Sequence, residues 1–192
     1  MFIEPHHGST NGWIEVICGS MFSGKTEELI RRLKRAYIAK LTVEIFKPAL
    51  DTRYDTADVV SHDTSRIRST PVSASQEILL LAGEADVVGI DEAQFFDDEL
   101  PHVTSALASN GKRVIAAGLD MDFKGRPFGP MGDMMAVADY VTKLHAICMV
   151  CGGIALYSYR KVQHDSTMML GELESYEPRC RTCFQPESSI TL

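Results

Sequence analysis

Eight residues near the start of the chain, Gly19-Ser20-Met21-Phe22-Ser23-Gly24-Lys25-Thr26, have the types and spacing of a phosphate-binding loop. They follow the apolar run Trp13-Ile14-Glu15-Val16-Ile17-Cys18 and precede a helical pattern, the setting such a loop needs. In that setting backbone N–H groups point at phosphate oxygens, Lys25 reaches the outer phosphates, and the Thr26 hydroxyl holds magnesium. A second signal lies downstream. Val87-Val88-Gly89-Ile90 is a continuous apolar strand ending in Asp91-Glu92. An acidic residue at the end of a buried strand beside a phosphate loop binds magnesium, which assigns that role to Asp91. Adjacent residues of an extended chain point in different directions, so Glu92 can face the acceptor and take a proton from an attacking hydroxyl or water. The other reading of Glu92 is a surface residue at a helix start.

The third signal is a pair of knuckles, Cys148-Met149-Val150-Cys151 and Cys180-Arg181-Thr182-Cys183. Two C-x-x-C units separated by a β-rich insert fit a tetrahedral four-sulfur zinc site. Such a site leaves no open coordination position, so the metal is structural. The fifth cysteine, Cys18, lies in the first strand and reads as a small buried hydrophobe.

The elements that position these groups alternate between two kinds. Strands are predicted at 13–18, 43–46, 87–90, 114–117 and 141–146, with a short one at 68–72. Helices are predicted at 27–40, 76–81, 100–109 and 133–140. In the first helix Leu29, Ile30, Leu33, Ala36 and Tyr37 share one face, and the cluster Arg31, Arg32, Lys34 and Arg35 reads as a solvated face. Residues 51–64 are polar and read as a functional loop. The pattern predicts an α/β fold: a phosphate-loop parallel sheet flanked by helices, with a small C-terminal zinc-ribbon-like lid module. The expected organisation is a flexible leader over 1–12, a nucleotide-binding α/β domain over 13–146, a zinc-binding lasso over 147–184 and a flexible tail over 185–192.

The bulk composition narrows the class. The chain has 192 residues, 45% of them hydrophobic and 23% charged, enough for one good core and a small appended module. A net charge of -7 argues against wrapping nucleic acid, which needs clustered Lys and Arg. No apolar run reaches the ~20 residues that span a bilayer, and the first residues lack a signal-peptide pattern, so the expected compartment is the cytoplasm. The residues unaided thus give a magnesium nucleotide site and a zinc module. Spacing alone leaves open whether phosphate goes to water, a small alcohol or a protein.

Further blocks occur in a fixed order: Phe46-Lys-Pro-Ala-Leu-Asp-Thr-Arg-Tyr54, Gly89-Ile-Asp-Glu-Ala-Gln-Phe-Phe96, and Gly118-Leu-Asp-Met-Asp-Phe-Lys-Gly-Arg-Pro-Phe-Gly129. With the phosphate loop and the two knuckles, they resemble the cytosolic, zinc-containing type II thymidine kinase family from residue 12 to 184. The resemblance implies transfer of the γ-phosphate of ATP to the 5′-hydroxyl of thymidine, with magnesium at Thr26 and Asp91. It implies Glu92 as general base, assisted by Lys25 and Arg53, and adds Asp91, Glu92, Ala93 and Gln94 to the ATP contacts of the loop. Asp51 is expected to help hold the sugar, although it could simply cap the turn after Pro48. Arg160 is a candidate second cation, although it and Arg53 could be solvated. Met21, Phe95, Leu119, Phe123 and Phe128 match positions that wall the base pocket, and Thr167, Met169, Gly171 and Tyr176 match substrate contacts of a lid over 164–178. A lid tethered by zinc at both ends excludes water, and that separates a kinase from an ATPase. Some family members have a small residue where Glu172 stands. The family further implies a homotetramer and feedback inhibition by dTTP.

The alternative is a nucleotide-dependent zinc-ribbon ATPase that binds nucleic acid. Only Arg179 and Arg181 flank the second knuckle, with Glu172, Glu174 and Glu177 nearby.

Overall fold

The computed structural model describes residues 12–49, 58–60, 66–161 and 175–185. The chain runs β1 (Trp13–Gly19), α1 (Lys25–Ile38), β2 (Val43–Pro48), β3 (Asp58–Val60), β4 (Arg66–Arg68), β5 (Thr70–Val72), α2 (Ser75–Leu81) and β6 (Val87–Ile90). It continues through a 3-10 turn (Ala93–Phe95), α3 (Leu100–Ser109), β7 (Arg113–Leu119), α4 (Met131–Val137), β8 (Tyr140–Leu144), β9 (Ala146–Ile147), β10 (Ile154–Ala155), β11 (Tyr157–Arg160) and β12 (Tyr176–Arg179).

Six strands form one sheet in the order β5-β2-β6-β7-β1-β8, and every pairing in it is parallel. Strands of such a sheet are covered on both faces, which is why β1, β6 and β7 read as continuous apolar runs. Side-chain alternation divides their residues between two cores. Ile17, Ile45, Ile115 and Ala117 pack on Leu29, Ile30, Leu33 and Ala36 of α1. Val16, Cys18, Val88, Val114 and Ala116 pack on the opposite face against Leu100, Val103 and Leu107 of α3 and Met131 and Met134 of α4. Cys18 is fully buried, as its place in the first strand implied, and burial followed by the charge of Asp120 pushes its thiol up to about 11. It is a packing residue, not a nucleophile.

Three local expectations are corrected. The predicted helix over 133–140 starts earlier and ends earlier, at Met131–Val137, and Tyr140 opens the edge strand β8. The expected strand over 68–72 divides: Arg66–Arg68 pairs antiparallel with Asp58–Val60, and Thr70–Val72 joins the main sheet beside β2. Part of the polar stretch over 51–64 is therefore strand.

The largest correction concerns the basic cluster of α1. Arg32 does not lie on a solvated face. It is 2% exposed and turns under the sheet. Its Nη1 donates to Glu15 Oε2 at 2.7 Å, its Nε to Glu28 Oε1 at 2.8 Å, and its Nη2 to Thr142 Oγ1 at 2.9 Å. Glu15 is itself fully buried and also receives Arg113 Nε at 2.7 Å and Trp13 Nε1 at 2.8 Å. A buried carboxylate survives because two guanidinium groups neutralise it and fill its lone pairs. Glu28 is held down to about 2, first by the hydrogen bond from Arg31, then, against the opposing effect of burial, by Arg32. On the same helix Tyr37 is 47% exposed, so the apolar stripe stops at Ala36. Arg32→Ala is expected to cost roughly 3–5 kcal/mol, because it leaves a buried carboxylate short of a partner. Urea unfolding measures this, and a loss within the small range of surface substitutions refutes the network's importance.

Candidate active site

The chain leaves neighbouring strands β1 and β7 in opposite directions. After β1 it passes to α1 on one face of the sheet, and after β7 to α4 on the other. Gly19 lies level with Leu119 in the register of the pair. A crevice opens where such strands diverge at their carboxyl ends, the place where open α/β sheets bind ligands. The loop 19–26 borders one side of it, Leu119 and Asp120 the other, and β6 brings Asp91 and Glu92 to the same end of the sheet.

The phosphate loop is built to take acceptors from outside the chain. Helix α1 begins at Lys25 behind a left-handed Gly24, and no side chain caps it. Its first-turn N–H groups are therefore available to an anion. Ser20 Oγ and Ser23 Oγ are buried with no hydrogen-bond partner among the described residues. Buried hydroxyls in that condition need a reason, and phosphate oxygens in the loop supply one. Lys25 Nζ donates to the Ser20 carbonyl at 2.8 Å. Burial lowers the Lys25 pKa, and the carboxylates of Glu92, Asp91 and Asp120 oppose that shift in descending order. Three acidic groups from the ends of β6 and β7 thus act on one ammonium. Asp120 also meets Lys143 of β8 at 2.6 Å, a charge contact reaching past β1.

Asp91 is nearly buried, and its Oδ1 accepts the N–H of Glu92 at 3.0 Å. Glu92 is left-handed, with φ 51° and ψ 41°, so the chain turns sharply there and is not extended as the sequence suggested. The two carboxylates still separate, because the turn redirects the second. Ala93 and Gln94 follow in the 3-10 turn and are buried. The Gln94 amide lies between the Leu119 N–H and the Glu92 carboxylate.

Beside this end of the sheet stands an aromatic wall. Phe95 and Phe128 meet edge to face at 5.5 Å. The Arg160 guanidinium lies 3.7 Å from the centre of the Phe123 ring and donates to Tyr176 Oη from Nε at 3.1 Å and Nη2 at 2.8 Å. Arg160 is therefore not solvated, and strands β11 and β12 hold it among the residues proposed for the base pocket. Asp51, Arg53, Thr167, Met169 and Gly171 lie outside the described residues.

The four cysteines come together. Cys148, Cys151, Cys180 and Cys183 present sulfur atoms all within 4.8 Å of one another, a set able to hold a metal ion. Desolvation works to raise the Cys148 thiol, yet backbone N–H groups of Cys180, Cys151 and Val150 bring it down to about 6. N–H groups aimed at sulfur favour the thiolate at Cys148, while neighbouring thiols push Cys183 up; four sulfurs this close to one another are the donor set that fits zinc. This module touches the phosphate loop in two places. Ser158 Oγ of β11 accepts the Met21 N–H at 2.9 Å, and Phe22 packs against the small cluster of Ala146, Cys148 and Ala155.

Ser158, Asp120 and Lys143 were not singled out from the sequence. For Ser158 a signal existed: in Tyr157-Ser158-Tyr159-Arg160, serine and arginine share one face of a strand, and two polar residues facing inward imply a partner there. Asp120 lay inside a recognised block without a role of its own.

A family profile described as thymidine kinase matches residues 12–184. The chain is 63% identical over 189 residues to a thymidine kinase of Rhodothermus sp. (strain ITI 518), covering 97% of this chain and 89% of that one. It is 61% identical to a thymidine kinase of Porphyromonas gingivalis, covering 97% and 93%, and 62% identical over 186 residues to one of Bacteroides thetaiotaomicron, covering 96% and 94%. On the profile and these identities, the chain belongs to the thymidine kinase family.

Proposed function

We propose that this protein transfers the γ-phosphate of ATP to the 5′-hydroxyl of thymidine, giving dTMP and ADP. One observation carries the reading: a carboxylate, Glu92, is held in an enforced backbone geometry at the same sheet end as an uncapped phosphate loop. In the reaction the 5′-oxygen attacks phosphorus, the bond to the ADP oxygen breaks, and the hydroxyl proton passes to Glu92. Lys25 and the amides of residues 19–26 neutralise charge on the transferring group. Thr26 and Asp91 would hold magnesium, which when bound screens the charge between the outer phosphates. Arg53 is proposed as a further cation at the phosphates and Asp51 as a sugar ligand. Met21, Phe95, Leu119, Phe123 and Phe128 are proposed as the pocket for the base, with Thr167, Met169, Gly171 and Tyr176 closing over it.

The division of labour follows the proposed domains: residues 13–146 bind nucleotide, and residues 147–184, pinned by zinc at the four cysteines, form the lid. Cytoplasmic location, a homotetramer and inhibition by dTTP belong to the same proposal. No helix among the described residues is long and apolar enough to cross a membrane. Nucleic-acid binding is not favoured, since Arg179 is committed to Glu177 at 2.7 Å and to the face of Tyr159.

The test is ADP release measured across the four deoxynucleosides. Turnover is expected with thymidine and near background with deoxycytidine, deoxyadenosine and deoxyguanosine. ATP turnover indifferent to thymidine overturns the reading.

A further inference from the structure

Glu92 adopts a left-handed conformation that its residue type disfavours. Such a residue persists where its surroundings over-determine it. Here they converge on one neighbour. The Gln94 side chain is 2% exposed, and both ends of its amide are engaged. Oε1 accepts the Leu119 N–H at 2.9 Å, and Nε2 donates to Glu92 Oε2. The slot around it is tight. A Cβ on Gly118 would lie 2.8 Å from Gln94 Oε1, and one on Gly129 would lie 2.1 Å from the Gln94 carbonyl oxygen. Real side chains do not make such contacts, so Gln94 sits where it does because both positions are glycine. Gly118 belongs to β7 and Gly129 follows it, so one side of the crevice builds the slot while β6 supplies the carboxylate.

We propose that Gln94 is a positioning residue for phosphoryl transfer, its amide tying the Glu92 carboxylate to the end of β7. The proposal rests on Glu92 as proton acceptor. Because the Leu119 N–H claims the amide oxygen, the amide cannot flip, and its donor end must face Glu92. The amide therefore fixes where the base points.

Two substitutions separate this effect from mere packing. Gln94→Met fills the slot and makes neither bond. Gln94→Glu can still accept the Leu119 N–H but presents Glu92 with a second carboxylate. Both are assayed in the metal-loaded full chain with thymidine and MgATP, alongside Glu92→Gln and the double variant Glu92→Gln/Gln94→Met. Gln94→Met is expected to lower kcat on the order of 100-fold, the scale of a misplaced catalytic group, with little change in either KM. Gln94→Glu is expected to lower kcat as well, again with little change in either KM, since a second carboxylate repels Glu92 in place of holding it. In the double variant methionine adds no further loss to that of Glu92→Gln, since residues acting as a unit are not additive.

The proposal fails if Gln94→Met keeps the parent kcat. It fails if the loss lies in KM, or if methionine slows Glu92→Gln by the factor it slows the parent. Should Gln94→Met melt far below the parent, Gln94→Glu supplies the kcat readout, and a parental kcat there overturns the proposal. A silent Gln94→Met beside a crippled Glu92→Gln removes only the positioning role. A Glu92→Gln variant of undiminished kcat removes the base assignment, and the role of Gln94 with it.

Discussion

Glu92→Gln is expected to lower kcat by about 10²–10⁴-fold, the contribution of a positioned general base, while KM for ATP and thymidine stays close to the parent value. The substitution is nearly isosteric. Its carbonyl oxygen can accept the Gln94 N–H as the carboxylate does, so the left-handed turn and the crevice are retained. What disappears is the ability to take the hydroxyl proton. A single-turnover assay separates this from slow product release, and a variant with parental kcat contradicts the assignment.

The second large effect is metal removal. The described residues around the cysteines own only a small cluster, with Ala146, Cys148 and Ala155 buried. That is far too little to offset the entropy of ordering the module, so folding there depends on the metal. Structural zinc contributes an apparent binding free energy on the order of 10–16 kcal/mol in small modules. Chelation, or Cys183→Ser, is expected to unfold the module while the parallel sheet keeps its helical and strand signal. ATP affinity should fall as well, because Met21 and Phe22 lose their contacts with Ser158 and the cysteine cluster. Circular dichroism and a nucleotide titration read the two outcomes. Unchanged ATP affinity after complete zinc loss refutes the coupling.

Much of the framework was legible because its determinants are local. Helix α3 occupies the residues, 100–109, over which the sequence predicts it. The cysteine knuckles and the acidic end of β6 lie where their spacing put them. What escaped depended on partners distant in sequence. Arg32 reads as solvated until Glu15 is known to lie beneath it, and no helical periodicity carries that information. The end of α4 was missed because Tyr140 continues its polarity pattern, whereas β1 claims it for the sheet through pairing with Glu15. Gln94 looked like one more residue of a nucleotide block. Its bond to Leu119 depends on a turn that Glu92 makes against its own preference.

The grip of residues 148–183 on Met21 and Phe22 also has a temporal side. During synthesis the nucleotide loop leaves the ribosome early, while its braces are among the last segments made. At about 5–20 residues per second this leaves an interval on the order of ten seconds. A nascent chain therefore carries an unbraced loop until its final knuckle has emerged.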